Sequence, residues 1–137
     1  IYGAFIEGQL PDGTLLMEAL RTELAAAGIS TYLLIMVIPI ICGFSTGIAI
    51  GTVGAAFPIV LSLIGPDPSY ALLVSTTVLA YSFGHVGQLL SPVHVCILVS
   101  NQYFNVGLGK SLLGLLKPAL VVLVAGFLLS RLYLVIL

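Results

Sequence analysis

Between Leu24 and Pro66 no Asp, Glu, Lys or Arg interrupts the chain. Two apolar arms, 31–41 and 48–64, are separated there by Cys42-Gly43-Phe44-Ser45-Thr46-Gly47. Neither arm reaches the about 20 apolar residues that carry a helix across a ~30 Å hydrocarbon core. The pattern allows one tilted helix with a glycine kink, or two short helices that meet at a non-helical tip and return to the same side. Gly43 and Gly47 bracket two hydroxyl residues, and glycine admits the positive φ and close backbone approach that a tip needs. Irregular backbone at membrane depth persists only where protein buries it or it lines a watery cavity. The break is therefore a kink or a binding tip.

The remaining pattern predicts the neighbours of this hairpin. Residues 1–10 are too short to span and read as the end of a preceding membrane helix, followed by a Pro11-Asp12-Gly13 turn. Over 14–28, Leu15, Leu16, Leu20 and Leu24 recur at near-helical spacing while Glu18, Arg21 and Glu23 take the other face, with Gly28 as a stop. Residues 1–29 thus comprise a helix end and an amphipathic arm lying along the interface. The hairpin occupies 30–65, with its tip at 43–47. In the turn Gly65-Pro66-Asp67-Pro68-Ser69, Asp67 is placed to cap the next helix and Pro68 to open it.

That helix, 69–104, is too long for one straight span and is expected to break near 84–92. Pro92 removes a backbone donor and disfavours helical geometry at Ser91. Its hydroxyls Ser75, Thr76 and Thr77 suit close packing in a bundle. A polar loop, 105–110, precedes the final transmembrane helix, 111–137. Lys110 and Lys117 flank that loop while the opposite turn carries only Asp67, which places the Lys110 loop in the cytoplasm. The expected fold is an all-α membrane protein: interfacial helix, re-entrant helical hairpin, broken transmembrane helix and final transmembrane helix.

Composition places the chain in the membrane class, since 60% of the 137 residues are hydrophobic and 7% charged, and the expected location is the plasma membrane, as a multi-pass protein. A net charge of −1 gives nucleic-acid binding no electrostatic support. Cys42 and Cys96 lie in apolar segments and read as buried thiols, not a disulfide. The opening lacks a charged stretch followed by a cleavage site, so no signal peptide is expected and the chain reads as a piece of a longer one. No catalytic motif and no metal-spaced cluster is present, and an enzyme is not expected. His94, an ionisable group inside an apolar segment, is either a neutral histidine satisfied by a carbonyl or a group that accepts a proton or contacts substrate.

The two breaks form one candidate constellation. Short half-helices point positive N-terminal ends at an anion, while freed carbonyls and hydroxyls coordinate sodium. Ser45, Thr46 and Ser91 would supply hydroxyls and a possible sodium site. Gly43, Gly47 and Leu90 would supply backbone groups, and Asn101 or Gln88 further polar contacts. No other metal site or cofactor is expected.

The order of elements, with Gly43-Phe44-Ser45-Thr46-Gly47 and Gly84-His85-Val86-Gly87-Gln88-Leu89-Leu90-Ser91-Pro92-Val93-His94-Val95-Cys96, resembles the C-terminal half of the ion transporter superfamily. Within it the motifs resemble the uncharacterised integral membrane family known as domain of unknown function 401. The resemblance implies an elevator-type secondary carrier, commonly a homodimer, that binds a small anionic solute between hairpin tip and broken helix. By motif position Ser45, Thr46 and Gly47 are the tip, and Ser91, Pro92 and His94 the unwound loop. It also implies an N-terminal inverted repeat, of which this chain holds no copy. Where the dicarboxylate branch carries Ser-Asn-Thr at both breaks, this chain has Ser-Thr-Gly and Ser-Pro-Val, which leaves solute and coupling ion open.

The competing reading is a structural or assembly subunit whose breaks are kinks and whose hydroxyls bond within their own helices. The two diverge on whether 45–47 and 90–94 approach each other.

Overall fold

The computed structural model describes residues 30–65 and 67–137, together with 19, 22, 23, 26 and 28. Most of the expected interfacial arm, and Pro66, lie outside the described residues. Five helices follow Ser30: α1 (Thr31–Thr46), α2 (Ala49–Ile64), α3 (Tyr70–Leu89), α4 (Val95–Phe104) and α5 (Leu108–Ile136). No strand occurs among the described residues. Of these helices, α5 alone is both long and apolar enough to cross a membrane.

Contacts along the seams fix the helix directions. On α3, Ser75 meets Ser130 of α5 through a 2.9 Å hydroxyl bond, and Ser82 sits against Gly126. These two helices therefore run antiparallel. At the same end Arg131 lies over the ring of Tyr32 at 5.3 Å and of Phe127 at 5.2 Å, while Gly43 of α1 reaches Gly84 and Gln88 of α3. So α1 and α3 run parallel. Ser111 of α5, which bonds Asn101 of α4, lies 15 positions before Gly126, about 22 Å along the axis. Hence α3 and α4 continue in one direction past their break, whereas α1 turns back into α2.

The core forms where α1, α2 and α3 meet, around Ile35, Val60, Leu63, Leu79 and Ala80. Glycine lets the helices approach at the end nearest the breaks, with Gly87 against the Ile40 backbone and Gly43 against that of Gly84. In contrast α4 buries no residue, and α5 leaves Leu113, Leu120, Val121, Leu128 and Val135 exposed. Pro39, Pro58 and Pro118 lie inside α1, α2 and α5.

Several expected boundaries shift. Ser69, not Asp67, caps α3, its hydroxyl accepting from the Leu72 N–H at 3.3 Å, so Tyr70 and not Pro68 opens the helix. The final helix begins at Leu108 because Asn105, at φ 55°, closes the α4 turn within three residues. Both cysteines are free, but neither is the buried thiol expected: Cys42 is half-buried and Cys96, on a helix that buries no residue, is exposed.

Ser75 and Ser130 are 2% and 3% exposed, so each hydroxyl depends on the other. Replacing Ser130 by Ala is expected to cost about 0.5–1.5 kcal/mol. The S75A/S130A double variant should lose no more than S130A, as measured by thermal unfolding of the intact protein in detergent.

Candidate functional site: the meeting of two helix breaks

An α-helix leaves its last carbonyls without intrahelical donors. In α1 those belong to residues 43–46, and the chain satisfies two of them specifically. Gly47 takes φ 65°, ψ 6°, and returns its N–H to the Gly43 carbonyl at 2.9 Å. Ser91 Oγ, from the other break, donates to the Phe44 carbonyl at 2.6 Å. His94 Nδ1 lies 2.6 Å from the Gly47 carbonyl. A carbonyl only accepts, so Nδ1 carries the proton and in the neutral ring Nε2 keeps the lone pair.

Pro92 sets the geometry of the second break. Leu90 takes φ −89°, ψ 0° at the end of α3, and its N–H still reaches the Val86 carbonyl at 3.1 Å. Ser91 then turns its side chain inward, fully buried, where it also accepts from the Val93 N–H at 3.3 Å. The His94 N–H returns to the Ser91 carbonyl at 3.2 Å, and His94 becomes the residue before α4. Pro92 itself is exposed.

Both breaks are narrower than the sequence suggests. The expected tip at 43–47 reduces to Gly47 and Ile48, because Thr46 Oγ1 bonds the Cys42 carbonyl at 2.8 Å and the helix continues through Cys42–Thr46. Gly43 is a packing glycine inside α1, not a tip residue. The break expected near 84–92 falls at 90–94, since Gly84 and Gly87 stay helical with neighbouring helices occupying the space a Cβ would need.

The structure brings Gly47, Ser91 and His94 together, with Thr46 one residue from the contact and Ser45 exposed beside it. Leu90 and Pro92 frame the loop. Asn101 is not brought there: it sits seven residues beyond His94, about 10 Å along α4. Its Oδ1 accepts from Ser111 Oγ at 2.6 Å, and it faces a cleft of about 330 Å³ shared with Cys96, Ser100 and Gly114. Sequence reasoning missed Thr52, which is 5% exposed; its hydroxyl lies 3.0 Å from the Ile48 carbonyl and 3.2 Å from Thr46 Oγ1. The only signal was a hydroxyl four residues after the break.

The helix ends make the site polar without a charged side chain. Neither Ile48, before α2, nor His94, before α4, caps its helix with a side-chain bond. The two N-termini are in contact, since a Cβ placed on Gly47 would lie 3.0 Å from the Val93 carbonyl carbon and 3.1 Å from the His94 nitrogen. Free N–H groups at the two helix starts, about +0.5 of an elementary charge each, stand beside the carbonyl ends of α1 and α3, about −0.5 each, so the junction offers both donors and acceptors. A family model described as a protein of unknown function, DUF401, matches residues 12–136. The chain belongs to this family. No curated protein and no solved structure matches it. In this DUF401 member, the matched region contains both breaks and all five helices.

Proposed function

We propose that the chain is part of a secondary carrier for a small anionic solute, coupled to sodium or protons, binding where the two helix breaks meet. The observation that carries this reading is the contact between two N-termini that lack side-chain caps, those of α2 and α4. Such paired ends suit a carboxylate without an arginine. Beside them, Thr46 Oγ1 has Thr52 Oγ1 and the Cys42 and Ile48 carbonyls within 2.8–3.3 Å, a cluster of hard oxygens of the kind that coordinates sodium. The remaining possible ligands, Ser45 and Ser91, flank this cluster.

In this reading α1 and α2 form a re-entrant hairpin, α3 and α4 a broken transmembrane helix, and α5 spans the bilayer in the plasma membrane. The exposed leucines and valines of α5 face lipid or the rest of the carrier, namely an N-terminal half and a second copy. Substrate moves with the hairpin in an elevator-like step.

A structural role has its own support. The hydroxyls of Thr46, Ser62 and Ser82 bond carbonyls of their own helices, as in kinked packing helices. The Ser91 and His94 bonds, which cross between breaks, favour the carrier.

Single cysteines at Ser45, Thr46, Ser91 and His94 in a cysteine-free version of the intact protein separate the two. A membrane-impermeant thiol reagent is expected to label both breaks, and sodium or a carboxylate solute to suppress that labelling. If all four positions stay unlabelled under every condition, the breaks are packed kinks.

A further inference from the structure

Helix α3 has 20 residues, enough to cross a membrane, yet it is not among the helices that are also apolar enough. Its first half carries Ser75, Thr76 and Thr77, and its second half the larger polar groups Tyr81, His85 and Gln88. Tyr81, His85 and Gln88 recur at i, i+4 and i+7 and so share one face. Tyr81 is 52% exposed, and His85 and Gln88 are half-buried. The rings of Tyr81 and His85 lie parallel, 4° apart in plane and 6.2 Å between centroids.

These three side chains form one wall of a notch of about 10 Å³, on the order of one water site. Ala49, Thr52, Val53 and Phe57 of α2 form the other wall, in which Thr52 is the polar member. Thr52 links the notch to the breaks through Thr46 Oγ1. A phenol, an imidazole and an amide set against hydrocarbon each carry a desolvation cost, so such a face is stable only toward water or polar protein. None of the three is a carboxylate, and each offers an O–H or N–H donor.

We propose that Tyr81, His85 and Gln88, facing Thr52 across the α2–α3 groove, line a water-filled vestibule that leads anionic oxygens to the helix-break site. The inference rests on the carrier reading, because a vestibule without a site beyond it has no use.

The test uses the intact protein in membranes, with single cysteines at Tyr81, His85 and Gln88. Controls are Ala80, which is fully buried, Val121 and Leu128 on the outer face of α5, and Ser45 and Thr46 in the last turn of α1 beside the tip. The probe is an anionic sulfonate thiol reagent, compared with its cationic ammonium counterpart. The vestibule positions are expected to react at least about tenfold faster than the three apolar controls, with the anionic reagent no slower than the cationic one. Labelling at Ser45 and Thr46 without labelling at 81, 85 and 88 overturns the vestibule and leaves the carrier standing. Silence at 81, 85 and 88 together with silence at Ser45, Thr46, Ser91 and His94 overturns both. Reaction with the cationic reagent alone rejects an anion path. Where a cysteine variant fails to fold, hydroxyl-radical footprinting of the unaltered protein reads the same face: Tyr81 and His85 should be oxidised in the membrane, and their full protection refutes the vestibule.

Discussion

Gly87→Ala is expected to destabilise the intact protein by about 1–3 kcal/mol, the usual range for overpacking. A Cβ at this position would collide with the Ile40 carbonyl oxygen and lie 2.9 Å from the Ile40 Cα. Both obstacles are backbone, so α1 and α3 can make room only by moving apart. Gly43→Ala meets the same difficulty, its Cβ running into the Gly84 carbonyl and lying 2.9 Å from the Gln88 nitrogen. Separating these helices also separates Phe44 from Ser91, and the site should be lost with the seam. Gly54 in α2 has nothing within 4 Å of its Cβ position. Gly54→Ala should therefore be neutral or stabilising by up to about 1 kcal/mol through helix propensity alone. Thermal unfolding in detergent measures all three, and equal effects at 87 and 54 would refute the packing argument.

The second large effect is expected at Ser91. Ser91→Ala leaves the Phe44 carbonyl without its donor at a part-buried helix end, a loss of about 0.5–1.5 kcal/mol, or roughly 2- to 13-fold in an equilibrium. If the two breaks separate during function, the closed contact should be weakened by that factor. A cysteine at Thr46 in the S91A background should then label correspondingly faster. His94→Ala removes the donor to Gly47 and should act in the same direction, whereas His94→Asn keeps an N–H donor and should restore part of the effect. An unchanged labelling rate in both S91A and H94A would show that these bonds do not hold the breaks together.

Much of this arrangement is legible in the sequence because few residue types can produce it. An uncharged apolar stretch with one polar interruption predicts paired helices, and Gly47 does take the positive φ that a tight reversal requires. Pro92 likewise marks the second break to within two residues. The break widths are not legible. Gly43 reads as a conformational glycine, and Gly84 and Gly87 lie inside the expected break, yet all three serve contact between helices, which only the position of a neighbour's backbone reveals. The bond from Ser91 to Phe44 joins positions 47 apart, beyond any local pattern, and Asn101 is near the site in sequence but about two helical turns past it in space.

The prolines make the two arms of the hairpin mechanically unequal. Each lacks the N–H that the carbonyl four residues earlier would use, so both α1 and α2 have a compliant point. Pro39 is buried and its Cβ lies 3.3 Å from where a Gly84 side chain would begin, so α3 braces that point. Pro58 is only partly buried, and Gly54, the residue whose carbonyl it leaves free, has open space around it. Force applied at the tip therefore finds a stiff beam on one side and a hinge on the other. Any travel of the hairpin should pivot in α2, about 16 Å from Gly47, while α1 stays keyed to its glycine neighbours.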